Sequence, residues 1–412
     1  MKDYFSPRWS GEICDCSMPM TIDTYSHCSY RCLYCFAFFQ QSHSMTAQGL
    51  GAVKPERIKK LFLTPDDPTI SKGWKQFVPL IKQKKVLQWG GMSDPFDEYE
   101  REFGRTLELL EIFRDVQYPI RFSTKGAWWT EDSRYTELFK ECKDFWAVMF
   151  SIISNDESKV KAVEIKCPST AERFAAMRRM SDLGVMTILR LRPFVIGMSS
   201  PDHVKLIERA ADAGAQAVST EFFCCEGRAD SRLQARYKAM SVQVGYDLLP
   251  MYRKFSSGNG YLRLNRKVKE KYIDEMENAC QRLGLRFAVS DAHFKERSCT
   301  GSCCGLPEDW NWCRGQFTNA LLVAKKNGSV RWSDIAGDLE YAKEFKWTSA
   351  SGFNTTSAIL RAKLLLFTMF DYIHWVWNTP SNGKSPFKYF GGVLVPDGVD
   401  ENGDLVYRFS IR

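Results

Sequence analysis

The sequence predicts an α/β protein with a partial parallel (β/α)6 TIM-like barrel, followed by a smaller α+β unit rich in cysteine. Short apolar segments typical of strands alternate with longer amphipathic segments from about residue 19 to residue 225. Strict strand–helix order favours a parallel sheet with right-handed crossovers. The alternation stops near residue 227. We therefore predict an N-terminal extension at 1–18, a barrel at 19–225 and a C-terminal unit at 226–412.

Each barrel element has a local sequence signal. The six predicted strands are short and apolar, and they lie at 19–24, 86–89, 119–123, 146–153, 185–196 and 217–223. Helices are predicted at 100–116 and 132–142, and a third helix begins at Ser169, where Glu172 completes a capping box. Ligands of such barrels bind at the carboxyl ends of the strands. The residues that follow each strand are therefore the candidate site residues.

The C-terminal unit has a different pattern. Two helices are predicted at 232–255 and 268–283, and a group of cysteines follows them. Asn327-Gly328 is typical of a two-residue hairpin turn, which predicts strands at 321–325 and 330–332. An aromatic-rich helix is predicted at 355–377.

Composition restricts the class of protein. The 412 residues are 44% hydrophobic and 26% charged, as in globular proteins with a core. The net charge of +8 suits an anionic partner such as nucleic acid, and equally a solvated basic surface. Residues 1–10 lack the apolar core of a signal peptide, and 359–377 is too polar to span a membrane. We expect a cytoplasmic protein whose 14 cysteines bind metal, act in catalysis or pack in the core rather than form disulfides.

The most specific motif is a C-x3-C-x2-C array formed by Cys28, Cys32 and Cys35 in the loop after the first predicted strand. Three thiolates on one short loop can ligate three irons of a [4Fe-4S] cluster and leave the fourth iron open. A zinc loop and three unrelated buried thiols are the alternatives.

This array, with Tyr34 before its last cysteine, resembles the signature of the radical S-adenosylmethionine (SAM) superfamily. The resemblance implies that SAM binds the open iron and is cleaved reductively to a 5′-deoxyadenosyl radical, which abstracts hydrogen from a substrate. It also implies SAM contacts after the predicted strands, with a plain turn and polar residues at the barrel mouth as the alternatives. The residues concerned are Tyr34, Gly90, Gly91, Ser93, Asp94, Ser123, Lys125, Ser151 and Arg190.

Within the superfamily, the chain looks most like spore photoproduct lyase-like proteins, which repair a thymine dimer in DNA. The run 90–96, the Ser-Thr-Lys step at 123–125 and Cys167-Pro168-Ser169 carry this likeness. Those proteins have a hydrogen-donating cysteine a few dozen residues beyond the cluster loop. No cysteine occurs here between Cys35 and Cys142, so the resemblance does not predict repair of that lesion.

Further cysteines form two groups. Cys299, Cys303, Cys304 and Cys313 lie within fifteen residues, which favours metal. The resemblance implies an auxiliary Fe–S cluster there, and a four-thiolate zinc site and no metal at all are the alternatives. Cys280 is a reserve ligand. Cys224 and Cys225 follow the last predicted strand, where a thiol could return a hydrogen atom to a substrate radical, ligate the second cluster or simply be buried.

The substrate has no clear sequence code. Tryptophans of the C-terminal unit accompany a basic stretch at 263–271, a combination that could hold nucleobases or could form core and solvated surface. Our first hypothesis is hydrogen abstraction from a nucleobase in DNA or RNA. The alternatives are maturation of a peptide or protein and a non-catalytic metal-binding adaptor. An enzyme of this kind implies a reductant such as a flavodoxin or ferredoxin.

Overall fold

The computed structural model describes residues 1–10, 15–37, 49–227, 231–256, 261–314, 317–344 and 362–411. Its strands, numbered in chain order, are β1 (Lys2–Asp3), β2 (Arg8–Trp9), β3 (Met20–Ile22), β4 (Gly51–Ala52), β5 (Leu87–Trp89), β6 (Ile120–Thr124), β7 (Trp146–Ser151), β8 (Met186–Phe194), β9 (Ala217–Phe222), β10 (Cys225–Glu226), β11 (Tyr261–Leu262), β12 (Arg286–Val289), β13 (Ser329–Val330), β14 (Leu394–Val399) and β15 (Leu405–Phe409).

One eight-stranded sheet organises the molecule, in the order β12-β9-β8-β7-β6-β5-β3-β2. Neighbouring strands from β3 to β12 are all parallel, and only β2, at one edge, pairs antiparallel. The predicted partial barrel is confirmed, and each of the six predicted strands is present. The structure adds a seventh parallel strand, β12, so the prediction that the alternation stops near residue 227 was wrong. Two extra helices and a short β10–β11 pair precede the helix that leads to β12, and they obscure the period.

Helices connect the parallel strands and cover the outer face of the sheet. The described helices are Pro55–Leu63, Lys72–Lys75, Val78–Lys82, Glu98–Phe103, Arg105–Asp115, Ser133–Glu141, Glu157–Val163, Thr170–Asp182, His203–Asp212, Ser231–Val244, Leu248–Phe255, Arg266–Arg282, Phe317–Asn327, Ser333–Ala336, Met369–Trp377 and Pro386–Tyr389, and 3-10 turns occur at Trp128–Glu131, Ala292–Arg297 and Gly337–Glu344. None of the described helices is both long and apolar enough to cross a membrane.

Two helix predictions show how local sequence determines where a helix begins and ends. The capping box is confirmed: the Ser169 hydroxyl accepts from the backbone of Glu172, whose carboxylate accepts from the backbone of Ser169. The predicted helix 100–116 is two helices, Glu98–Phe103 and Arg105–Asp115. Gly104 separates them because it adopts the left-handed conformation, with φ of 65°.

The predicted hairpin at 321–332 was wrong. The helix Phe317–Asn327 occupies its first half, and Gly328, with φ of 84°, follows the end of that helix. The buried side chains of this helix recur at helical spacing, and their packing outweighs the Asn-Gly turn signal. Strand β13 pairs instead with β15 in a separate three-stranded sheet. Of the predicted helix 355–377, residues up to 361 lie outside the described residues, and Met369–Trp377 is helical.

The cysteine-rich loop 299–313 enters the barrel at the amino end of its strands. Gly305 allows the close approach, because a Cβ there would lie 2.9 Å from the Cβ of Ala217. The backbone N–H of Val86, just before β5, donates to the carbonyl of Asn311 at 3.0 Å. The loop and the inward side chains of the strands form one apolar cluster, which includes Val86, Ala147, Met149, Ile188, Ala217, Cys304, Leu306 and Trp312. This loop therefore fills the barrel from below, opposite the carboxyl edge.

Candidate active site

The loop that carries Cys28, Cys32 and Cys35 follows β3 at the carboxyl edge of the barrel. The segment after β5 holds this loop from one side: Asp97 accepts from the backbone N–H of Ser29 at 2.6 Å. From the other side, the Arg236 guanidinium donates to the carbonyl of Cys32 at 2.8 Å. The three thiols are thus anchored directly above the strand ends.

The sulfur of Cys32 has a fourth thiol beside it, which the sequence interpretation did not place here. The Sγ atoms of Cys32 and Cys167 are 3.5 Å apart. Burial, followed by the charges of Asp97 and Asp94, raises the pKa of Cys28 well above its usual value. The hydrogen bond from Cys167 lowers the pKa of Cys32.

The chemistry of the donor set fits an Fe–S cluster, because thiolates are the ligands these clusters use and three of them lie within eight residues. The side chains themselves are not gathered. In the described part of the chain, no three His, Cys, Asp or Glu side chains are arranged to hold a metal ion.

Gly90 and Gly91 lie where β5 ends, beside the cysteine loop. Gly90 has φ of 87°, and a Cβ there would lie 2.4 Å from the carbonyl oxygen of Ser123. A Cβ on Gly91 would lie 2.9 Å from the hydroxyl of Thr21. Only glycine fits at position 90, and both glycines leave a stretch of backbone without side chains, as a closely bound ligand requires.

Ser93 and Asp94 are engaged within the protein. The Ser93 hydroxyl donates to the carbonyl of Tyr25 at 2.7 Å. Asp94 accepts from the Thr124 hydroxyl at 2.7 Å and from the backbone N–H of Lys125 at 2.6 Å, while burial raises the pKa of its carboxyl group. Ser93 thus connects the segment after β5 to the chain that follows β3, and Asp94 connects it to the end of β6.

Lys125 carries a positive charge next to the cysteine loop. Burial alone would lower its pKa, but the charges of Cys32, Glu164 and Cys167 outweigh this effect and raise the pKa to about 12. Its Nζ lies 5.5 Å from the centre of the Tyr34 ring. The structure thus places the charge of Lys125 beside Tyr34 and near Cys32.

A buried ion pair supports Tyr34 from below. The hydroxyl of Tyr34 donates to Glu164, and Glu164 pairs with Arg173; both charged side chains are fully buried. Arg173 also donates to the carbonyls of Pro168, at 2.6 Å, and Ser151, at 2.9 Å. The sequence interpretation missed this pair. Its signal is an arginine on the buried face of the helix Thr170–Asp182.

Polar side chains also end the next strands. Ser123 accepts from Arg121 on the same strand. Arg190 on β8 donates to the Ser151 hydroxyl on β7 at 3.2 Å. Ser151 and Arg190 are register partners, so the predicted site residues of β7 and β8 meet.

Comparison with known proteins supports this arrangement at the level of the fold. A mutant of spore photoproduct lyase shares 14% identity, covers 70% of this chain and 80% of its own, and has a TM-score of 0.50. This chain shares the fold of spore photoproduct lyase. Spore photoproduct lyase complexed with dinucleoside spore photoproduct is similar at 13% identity, 69% and 78% coverage and a TM-score of 0.48. Streptococcus suis SuiB bound to S-adenosylmethionine shares 11% identity. This match covers 68% of the present chain and 52% of SuiB, with a TM-score of 0.41. No family model and no curated protein matches the chain.

In this fold, the ends of β9 and β12 form a second polar group at the mouth of the barrel. Burial raises the pKa of Cys224, just after β9, to about 12, so its thiol keeps its proton. Nearby, Lys269 bonds both oxygens of Asp291 at 2.8 Å, and both side chains are buried. Cys225 is different, because it is buried in a separate apolar cluster. The sequence interpretation missed Lys269 and Asp291, since β12 was not predicted.

The second group of predicted metal ligands is not brought together. Cys303 and Cys304 lie inside the barrel, whereas Cys299 is exposed beside β12 and donates its backbone N–H to Phe287. Cys313 is buried against the outer core and donates its backbone N–H to the carbonyl of Ser17 at 2.8 Å. The loop that carries them runs through the barrel, so neighbours in sequence point to different surroundings.

Three guanidinium groups lie near Cys304 in the interior of the barrel. Arg121 Nη2 lies 3.4 Å from its sulfur, and together with Arg190 and Arg192 it helps to hold the pKa of this thiol well below its usual value, after the hydrogen bond from Cys303. Burial, followed by the charges of Arg192 and Arg121, lowers the pKa of Arg190 to about 9. The interior therefore carries closely spaced positive charge.

Proposed function

We propose that this protein is a radical SAM enzyme that holds a [4Fe-4S] cluster on Cys28, Cys32 and Cys35. The observation that carries the proposal is the position of this loop, above the carboxyl edge of a partial parallel barrel and beside the glycine pair at 90–91. When bound, the cluster and SAM supply a 5′-deoxyadenosyl radical that abstracts hydrogen from the substrate.

The chain's own residues bind and orient SAM in this proposal. The amino group of SAM donates hydrogen bonds to the backbone at Gly90 and Gly91, where no side chain blocks its approach. Lys125, whose neighbours keep it protonated, binds the carboxylate. Ser151 and Arg190 contact the ribose. Tyr34, held by the buried pair below it, fixes the position of the loop next to Cys35.

Cys224 is the proposed hydrogen donor at the mouth. Its raised pKa supports this role, because a thiol that stays protonated has a hydrogen atom to give. Cys225 lies among apolar side chains and is not part of the proposal.

The substrate we propose is a nucleobase in DNA or RNA, and an external reductant such as a flavodoxin or ferredoxin delivers the electron. The basic net charge of +8 and the arginines inside the barrel support an anionic substrate. No disulfide joins any of the thirteen described cysteines, which supports a reducing compartment such as the cytoplasm. Peptide maturation is the alternative.

A second cluster or a zinc ion at the 299–313 cysteines stays a prediction, which iron and zinc counts per chain will test.

Anaerobic reconstitution with iron and sulfide, followed by SAM and dithionite, tests the enzyme. We expect Fe–S absorption and release of 5′-deoxyadenosine, both lost in Cys32→Ala. The matched control is Cys142→Ala, because Cys142 is fully buried in the outer core, away from the site. Absorption unchanged by Cys32→Ala would contradict the proposal, and cluster binding without SAM cleavage would favour an adaptor. Deuterium transfer from labelled oligonucleotide, and none from labelled peptide, would identify the substrate class.

A further inference from the structure

Three arginines line the inside of the barrel. Arg121 on β6 alternates with Ile120 and Phe122, which pack in the outer core. Arg190 and Arg192 on β8 alternate in the same way with Leu189 and Leu191. All three guanidinium groups act electrostatically on Cys304 inside the barrel, so they converge on one region from two different strands.

The positive charge of this region is only partly balanced. Arg192 pairs with Glu221 on β9. Arg121 donates to a hydroxyl and a thiol, and Arg190 donates to the hydroxyl of Ser151. In the residues that the structure describes, neither Arg121 nor Arg190 pairs with a carboxylate, and the Cys304 thiol, whose pKa is well below its usual value, offsets only one of the charges. Closely spaced cations with little access to water are costly unless a further anion joins them.

Hydrogen-bonding groups in the same region also lack partners. Arg121 is 2% exposed, and its Nε has no hydrogen-bond partner in the described structure. The Thr21 hydroxyl is 1% exposed and is likewise unpaired there. Thr21 is in register with Gln88, and Gln88 is in register with Arg121, so the two unsatisfied side chains point inward from neighbouring parts of the sheet. Buried polar groups are normally satisfied, so these two groups are available to bind a polar ligand.

We propose that the barrel interior is a phosphate-binding site, in which Arg121 and Arg190 bind a phosphate group of the substrate and Arg192 lies at its rim. The inference rests on the proposed function, since the substrate must enter the barrel. A phosphate monoester carries close to two negative charges and presents several oxygens, so both guanidinium groups can bind it at once, whereas a carboxylate carries a single charge. Planar guanidinium groups also suit the paired oxygens of phosphate. The substrate is therefore a phosphorylated nucleotide or nucleotide end.

The site is distinct from the position proposed for the SAM carboxylate. Lys125, which takes that role, follows the end of β6, while Arg121 is the second residue of the same strand. The phosphate thus lies deeper in the barrel than SAM. Arg190 has donors for both ligands, because only one of its nitrogens is bonded to Ser151.

Isothermal titration of inorganic phosphate into the reconstituted protein, saturated with SAM, tests the site. We expect phosphate to bind, acetate to bind more weakly, and a nucleoside 5′-monophosphate to bind more tightly than its nucleoside. Arg121→Met should weaken phosphate binding tenfold or more, as expected for loss of a charge-assisted hydrogen bond. The matched control is Arg134→Met, whose side chain is 66% exposed on an outer helix and should leave binding unchanged.

A second variant guards against a folding defect in Arg121→Met. Glu221→Gln releases Arg192 from its ion pair and should strengthen phosphate binding several-fold. Absence of phosphate binding, binding unaffected by both variants, or competition between phosphate and SAM would overturn the inference. Release of 5′-deoxyadenosine separates the two proposals: SAM cleavage without phosphate binding removes only the inner site, and phosphate binding without SAM cleavage removes only the enzyme.

Discussion

Glu164 and Arg173 form an ion pair whose two side chains are fully buried beneath the cysteine loop. Tyr34 donates its hydroxyl to the same carboxylate, and Arg173 reaches the carbonyl of Ser151 at the end of β7. The pair thereby joins the loop of the proposed cluster to the barrel. It is a positioning device, since neither side chain carries a proposed ligand atom.

Replacing Arg173 with Met should destabilise the protein by about 3–5 kcal/mol, because Glu164 would be left as an unpaired buried charge. Urea unfolding monitored by circular dichroism measures this. The control is Arg134→Met, which breaks an exposed pair with Asp132 and should cost less than about 1 kcal/mol. Equal effects of the two substitutions would show that the buried pair has no special role.

Cys167 and Cys32 should differ in their effect on iron binding. Cys167→Ala should keep close to the wild-type iron content per chain after reconstitution, whereas Cys32→Ala should lose most of it. In the metal-free protein, a mild oxidant such as diamide should link the two, since their sulfurs are 3.5 Å apart and a bond needs only a small side-chain movement. Peptide mapping by mass spectrometry detects the link. If Cys167→Ala failed to retain iron, Cys167 would be a fourth ligand of the bound iron.

Gly90→Ala should abolish SAM binding and lower stability. The added Cβ would lie 2.4 Å from the carbonyl of Ser123, and φ of 87° is unfavourable for alanine. Gly104→Ala is the matched control, because Gly104 also has positive φ, 65°, but nothing lies within 4 Å of the added atom. We expect the control to lose about 1 kcal/mol and to bind SAM normally. Equilibrium dialysis with labelled SAM compares the two variants.

Asp97 should make stability fall as pH rises. Burial, the first cause, raises its pKa to about 7 from the usual 3.8. The folded protein thus binds a proton that the unfolded chain releases near pH 4, so this group's contribution is present at low pH and is lost between about pH 4 and 7. Asp97→Asn should remove that decline in urea unfolding.

Asp132 provides the opposite control for this pH dependence. Its hydrogen bond with Arg134 lowers its pKa, so its contribution is present above its unfolded pKa and is lost in acid. Asp132→Asn should therefore leave the decline between pH 4 and 7 in place. An unchanged profile in Asp97→Asn would mean that Asp97 is ionised in the folded protein at low pH.

The local parts of this protein follow from its sequence alone. Apolar runs and turn signals predict six barrel strands, and the hydroxyl and carboxylate at Ser169 and Glu172 predict a helix start. The C-x3-C-x2-C spacing predicts a metal loop after the first strand. These signals work because the interactions that produce them join residues a few positions apart.

Tertiary packing decided the rest. β12 joins the sheet through pairing with β9, and Lys269 reaches Asp291, across long stretches of chain that no local period records. The 299–313 cysteines, adjacent in sequence, are separated because their loop threads the barrel, while Cys167 is brought to Cys32. Which side chains meet in a barrel depends on strand register and on which face each residue presents, and those are fixed only when the whole sheet closes.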